Sequence, residues 1–356
     1  GGMQGWGGTV HHVVDQDRPF LKGRDGNILA VTTGRKTEGK GVFSMIIDSH
    51  VHLVGEGWVN RSFLIGMARE ATAMMGKATG EYPDAEALVD NLMPVLSDTT
   101  GEKLVANMDA AGVDKSCIFS TDFGLATGEP GVSMQDQNRM IAEAAQRFPD
   151  RLIPFFTVDP RRPEGLDLFK RGVEEWGMKG LKLHPTAGYF PYDPVVYPYY
   201  EKCMEYGIPV LLHTGSIAAP LKARYTRPIN VDDVAADFPD LPIIMAHLGH
   251  QLWEEALLVA SVKPNTYLDI CNWQFVYNRS PEEFFRTLRA VVDEVGPWRV
   301  FWATDGPYAN VLCPLETWVK AVREPDLSSC PDVSFTPEEI ETIMGKAFAR
   351  LLKLEG

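Results

Sequence analysis

Residues 45–52 read MIIDSHVH, an apolar run closed by an Asp and two His one residue apart. Alternation along a strand sends residues i and i+2 to one face, so His50 and His52 would project together from a strand's end. Neutral imidazoles are common metal ligands, and two of them on a rigid strand come pre-positioned for one ion. Further reactive side chains close later apolar runs: Lys182 and His184 in MKGLKLHP, His213 in IPVLLH, His247 and then His250 in PIIMAHLGH, and Asp305 in WRVFWATD. His11 and His12, by contrast, are adjacent and would point to opposite faces of a strand, where sharing an ion is difficult.

These runs belong to a regular alternation. Apolar stretches at 45–52, 113–120, 151–158, 178–185, 208–213, 242–247, 265–270 and 298–305 are separated by helical patterns at 101–111, 135–148, 164–175, 194–206, 231–238, 252–261 and 281–295, with a last helix at 336–353. Eight strands and eight helices in this order predict an α/β chain folded as a (β/α)8 TIM barrel. The alternative, a doubly wound open sheet, lacks the glycine-rich phosphate loop after any of these strands. In a (β/α)8 barrel chemistry sits at the C-terminal ends of the strands. Six of the eight His in the chain stand there, which raises the HxH pair from a weak motif to an expected metal site. Residues 1–44, rich in Gly, Thr and charge, read as a small N-terminal extension, with the Asp25-Gly26 turn suggesting a β-hairpin; 45–356 is the expected catalytic domain. An insertion after the first strand, 55–100, carries Trp58, Phe63, Met67, Met74, Met75 and Tyr82 and is long enough to form a lid.

Composition narrows the partners. A net charge of −14 argues against nucleic acid or an anionic membrane as a partner, and the apolar runs are too short to span a bilayer. Five scattered cysteines without a CxxC pair, and no basic segment followed by an apolar one at the start, point to reduced thiols and a cytoplasmic location. The expected partner is a small-molecule substrate.

Taken together, IIDSHVHL, VLLHTG, IIMAHLGH, NTYLDI and WATDGP resemble the amidohydrolase superfamily, and most closely the amidohydrolase-related family that includes aminocarboxymuconate semialdehyde decarboxylase. The resemblance covers about residues 45–354. It implies one divalent ion, usually zinc, held by His50, His52, His213 and Asp305, with His247 as the acid/base, and a homodimer or higher homo-oligomer. Three imidazoles and a carboxylate suit Zn²⁺, with Mn²⁺, Fe²⁺ or Co²⁺ as substitutes. Asp305 would also accept a proton from water, so that the expected activity is metal-dependent hydrolysis of a small carbonyl substrate; non-oxidative decarboxylation is the alternative. Two departures stand out. The segment Gly345-Lys346-Ala347-Phe348-Ala349-Arg350-Leu351 lacks the Asn that such chains often carry, and HLGH replaces the HGGG of the family's decarboxylases, which favours the hydrolase branch.

Substrate contacts are expected from Lys182 and His184, which share a face at the end of the fourth strand, and from His250. Arg224 and Arg227, beside Lys222 in the loop after the fifth strand, could clamp a carboxylate or phosphate. Trp273, Phe275 and Tyr277 alternate after the seventh strand and could wall a planar substrate.

Overall fold

A computed structural model describes residues 45–354. The expected N-terminal hairpin, with His11 and His12, lies outside the described residues. Eight parallel strands follow in chain order: Ile47–His52, Lys115–Phe119, a third strand running as Leu152–Pro154 and Phe156–Thr157, then Leu181–Leu183, Val210–Leu212, Ile243–Met245, Thr266–Asp269 and Val300–Phe301. Each pairs with the next. The third strand is continuous across Phe155. The Phe155 N–H donates back to Ile118 O and the Phe156 N–H forward to Gly180 O, each at 2.9 Å.

The sheet closes between its first and last strands. The Ser49 N–H donates to Trp302 O at 3.2 Å, the Asp305 N–H to His50 O at 2.9 Å and the His52 N–H to Gly306 O at 2.7 Å. Asp48, buried beneath this seam, accepts from the Thr304 N–H at 3.0 Å and the Thr304 hydroxyl at 2.6 Å. Burial pushes its pKa up to about 7, against the hydrogen bonds from Thr304 and His50.

All seven interstrand helices expected from the pattern form, among them Met134–Arg147, Gly165–Glu174 and Pro281–Val295. Further helices form outside that pattern. Leu315–Arg323 buries Trp318, Val319 and Val322 on one stripe, and Gln274–Arg279 stands where an alternating loop was expected. Alternation would have put Trp273, Phe275 and Tyr277 on one side. The helix instead turns Tyr277 away, against Phe284, Phe285 and Trp318. No helix among the described residues is long and apolar enough to cross a membrane.

The insertion after the first strand folds as two helices, Arg61–Thr79 and Ala85–Leu96, capped by Asn60 and Asp84. Trp58 and Phe63 are buried, whereas Met74, Met75 and Tyr82 are exposed. The first of these helices packs so closely on the loop after the fifth strand that a Cβ on Gly66 would sit 1.7 Å from Ala219 O.

Inside the barrel a cluster of Ile47, Phe155, Leu211, Ile244, Phe301 and Phe348 fills the floor, and Phe119 carries it up to the mouth. Phe348 comes from the closing helix Ala347–Leu351, and Gly345 just before it lies where a Cβ would meet Met45 O at 1.9 Å. This segment is therefore structural, and its missing Asn does not touch the strand ends. Truncating Phe348 to Ala removes a fully buried ring from the floor. It should cost about 3–5 kcal/mol of stability in guanidinium unfolding, while metal content per folded molecule stays unchanged.

Candidate metal centre

The alternation of the first strand brings His50 and His52 to the mouth, where both rings stand edge-on above Phe119 at 4.9 and 4.8 Å. Closure of the barrel brings Asp305 to them. Asp305 Oδ1 lies 3.3 Å from His50 Nε2 and 3.1 Å from His52 Nε2, while its Oδ2 accepts from Asn272 Nδ2 at 2.5 Å. An ion with tetrahedral bonds of about 2.0–2.2 Å spaces its ligand atoms about 3.3–3.6 Å apart, so both distances from Asp305 Oδ1 are close to an edge of such a site. Burial pushes the His52 pKa down to about 4, leaving a neutral imidazole. Burial also acts to raise Asp305. The hydrogen bond with His52 and the neighbouring His50, His52 and Lys182 outweigh it, and the carboxyl is held well below the usual carboxylate range.

His213 ends the fifth strand but stands outside this close-set triad. Its Nε2 lies 3.2 Å from Ser216 O and its Nδ1 3.0 Å from His247 Nε2. His247 opens a run of left-handed backbone: φ is 63° at His247, 48° at Leu248, 68° at Gly249 and 51° at His250. Such conformations cost of order 1–3 kcal/mol for each non-glycine residue and persist only where the surroundings hold them. Here the His247 N–H donates to Asp269 Oδ1 at 2.7 Å, Trp273 Nε1 donates to His247 O at 2.8 Å, and the Thr214 hydroxyl holds Ala246 O at 2.5 Å. Burial keeps both His213 and His247 well below the ordinary imidazole pKa.

The remaining expected contacts divide. Lys182 is fully buried, its Nζ 3.4 Å from His50 Nε2 and 5.1 Å from the centre of the Phe119 ring, and burial pushes its pKa down to about 8. His184 is buried against Phe123 and 6.1 Å from the His52 ring, and neither His184 Nδ1 nor His52 Nδ1 has a hydrogen-bond partner among the described residues. His250 stacks on His247 at 4.5 Å and meets the Ser216 hydroxyl through Nδ1 at 3.0 Å. Arg227 is on the surface, paired with Glu255 at 2.7 Å, and Arg224 lies over Tyr225. Trp273 is buried, its indole N–H spent on the His247 carbonyl.

Two residues of the site escaped the sequence reading. Asp269 accepts from His50 Nδ1 at 2.9 Å through Oδ2, and with Oδ1 takes the His247 N–H and the Cys271 thiol. Cys271 Sγ also lies 2.9 Å from His247 Nδ1. Both were detectable. Asp269 ends the seventh strand and Cys271 follows it at the same i, i+2 spacing as His50 and His52.

The chain matches the family model for amidohydrolases over residues 47–354. It is 29% identical over 241 residues to the 2-keto-4-carboxy-3-hexenedioate hydratase of Sphingobium sp., an alignment covering 58% of this chain and 65% of the relative. The chain spans less than two thirds of the length of the curated relatives it matches. Among solved structures it resembles an uncharacterized TIM-barrel protein of Bordetella bronchiseptica, with TM-score 0.61, 23% identity and coverage of 87% of this chain and 98% of that one. It also resembles a manganese-bound 5-carboxyvanillate decarboxylase of Novosphingobium aromaticivorans, with TM-score 0.63, 17% identity and coverage of 89% and 100%. These two likenesses bear on the barrel. With a family match running from the first strand to the closing helix, over a mouth where a strand-ending HxH pair meets Asp305, this chain belongs to the amidohydrolase family.

Proposed function

We propose that His50, His52, His213 and Asp305 hold one divalent ion, with zinc the best match to three imidazoles and a carboxylate, and that the enzyme hydrolyses a small carbonyl substrate bearing a carboxylate. The observation that carries this reading is the convergence of His50 Nε2 and His52 Nε2 on Asp305 Oδ1, at 3.3 and 3.1 Å. A bound ion supplies Lewis acidity, lowering the pKa of water and polarising a carbonyl.

The chain's own residues account for the rest. Asp305 is anionic, partly open at 15% side-chain exposure and fixed by Asn272, so it can take a proton from water at Oδ1 without reorienting. His247 is the general acid/base for the leaving group, aimed by its backbone bonds to Asp269 and Trp273. Lys182, a buried cation without a carboxylate partner at hydrogen-bond distance among the described residues, receives the substrate carboxylate, and the unpartnered His184 Nδ1 offers it a second contact. His250 lines the same side through its stack on His247. Arg224, Arg227 and Trp273 have no such part in this reading, being engaged elsewhere. A relative named as a hydratase agrees with water as co-substrate.

The same buried lysine favours a second reading. A carboxylate held at Lys182, beside the triad, is placed for loss as CO2, the non-oxidative decarboxylation that several solved barrels of this shape are named for.

Elemental analysis of the purified enzyme should find one divalent ion per chain. His52→Ala and Asp305→Ala should each lose it, and unchanged metal content in both variants would overturn the proposed ligand set. His247→Asn should keep the ion and lower kcat about 10²–10⁴-fold. The two reactions separate by mass spectrometry in ¹⁸O-water, using aromatic carboxylates and unsaturated lactone dicarboxylates as probes. Hydrolysis places ¹⁸O in the product, whereas loss of CO2 without ¹⁸O would establish the decarboxylase instead.

A further inference from the structure

The floor of the barrel gathers positive charge that no carboxylate among the described residues balances. The chain has a net charge of −14, and most of its described arginines stand at ion-pair distance from a carboxylate. Arg299 and Arg350 do not. Both line one cavity of about 330 Å³, with Tyr267, Trp298, Ala347 and Leu351. Trp298 and Arg299 lead into the eighth strand, Tyr267 is the second residue of the seventh, and Arg350 comes from the closing helix. The cavity therefore lies at the N-terminal ends of the strands, away from His50 and His52. A second cavity of about 230 Å³ shares Leu351 with it and adds Lys179 and Lys353, again without ion-pair partners among the described residues.

The groups around the larger cavity are held in place with binding capacity to spare. Arg299 Nη1 donates to Ala260 O at 2.8 Å and Lys263 O at 3.3 Å, and Nε donates to Val295 O at 3.2 Å, which leaves Nη2 without a partner among the described residues. The Arg350 guanidinium lies over the Trp298 ring, 4.9 Å from its centre, and hydrogen-bonds to no described residue. Tyr267 stacks on Phe301 at 5.4 Å, its hydroxyl likewise unpartnered there. Trp298 is 41% exposed. An open indole beside two uncompensated guanidiniums offers a flat ring surface and a place for negative charge together.

We propose that this cavity is a second binding site, for a small planar aromatic carboxylate, separate from the catalytic mouth. The carboxylate is received by Arg299 Nη2 and the Arg350 guanidinium, and the ring lies against Trp298 and Tyr267 over the apolar surface of Ala347 and Leu351. The volume falls in the range of small-ligand pockets, about 300–1,000 Å³, and exceeds what an inorganic anion needs. Ala347, Arg350 and Leu351 belong to the closing helix, whose Phe348 packs on Phe155 and Phe301, and Tyr267 stacks on the same Phe301. The ligand thus bridges the closing helix to the seventh and eighth strands. The site exists only in the closed barrel, so binding stabilises the folded chain without engaging the mouth.

The test is indole ¹⁵N NMR of the full chain labelled at tryptophan, with 2-naphthoate as the probe and the Trp298 signal assigned from Trp298→Phe. That signal should move and saturate as naphthoate is added, and the melting temperature should rise. Arg350→Gln, a change at an exposed position, should weaken the Trp298 response about tenfold or more and reduce the rise in melting temperature, with metal content unchanged. 2-Naphthamide, a ring without the charge, and inorganic phosphate, a charge without the ring, should leave the Trp298 signal in place. A Trp298 signal that ignores naphthoate overturns the site. A response to phosphate or naphthamide equal to that for naphthoate overturns the aromatic carboxylate as its ligand. Equal Trp298 shifts and melting temperatures in wild type and Arg350→Gln place naphthoate elsewhere and overturn it as well.

Discussion

The mouth of this barrel depends on the seam between its first and eighth strands. His50 and His52 are fixed by local alternation, but Asp305 lies some 250 positions further along the chain, and the hydrogen bonds His50 O to Asp305 N–H and His52 N–H to Gly306 O set its height against them. Asp48 locks that register by taking both the amide and the hydroxyl of Thr304. A slip of one residue along the seam would turn Asp305 to the other face of the sheet and leave two imidazoles without their carboxylate. The geometry of the triad is thus a property of barrel closure more than of the motif.

Around that seam the structure concentrates conditions unfavourable to folding. Six imidazoles, a lysine and three carboxylates lie buried or nearly so, and a left-handed turn runs through His247 to His250. Asp269 offsets much of this cost by serving three neighbours at once: the ring of His50, the backbone of His247 and the thiol of Cys271. Buried polar groups are tolerated when each finds a partner. Left over are His52 Nδ1 and His184 Nδ1, which have no hydrogen-bond partner among the described residues, and Lys182, which lacks a carboxylate at hydrogen-bond distance among them.

Much of this was legible in the chain. The eight apolar runs became eight strands because each is too short for a helix, and their closing residues marked the mouth. What escaped did so for physical reasons. Leu315–Arg323 shows its apolar stripe only at helical spacing, and it follows the last strand, where the count of eight was already complete. Trp273 and Tyr277 alternate like strand residues, but one turn of helix sends one to the His247 carbonyl and the other into the outer layer. Asp269 and Cys271 carried the right spacing, yet a carboxylate and a thiol at a strand end announce no function until their hydrogen-bond partners are known. The pairing of Arg227 with Glu255 likewise follows from tertiary packing alone.

The packing of Gly345 against the carbonyl of Met45 means that the floor joins the start of the barrel to a segment about 300 residues later. During synthesis the early strands must wait for that segment with the edge of the first strand unpaired and Phe155 and Phe301 lacking their cover from Phe348. A nascent chain in that condition presents both an open strand edge and an apolar surface, the two features that promote association between unfinished chains. Assembly of this enzyme in the cell is therefore a problem of timing: the half-built barrel must be kept apart from its neighbours until the last helix leaves the ribosome.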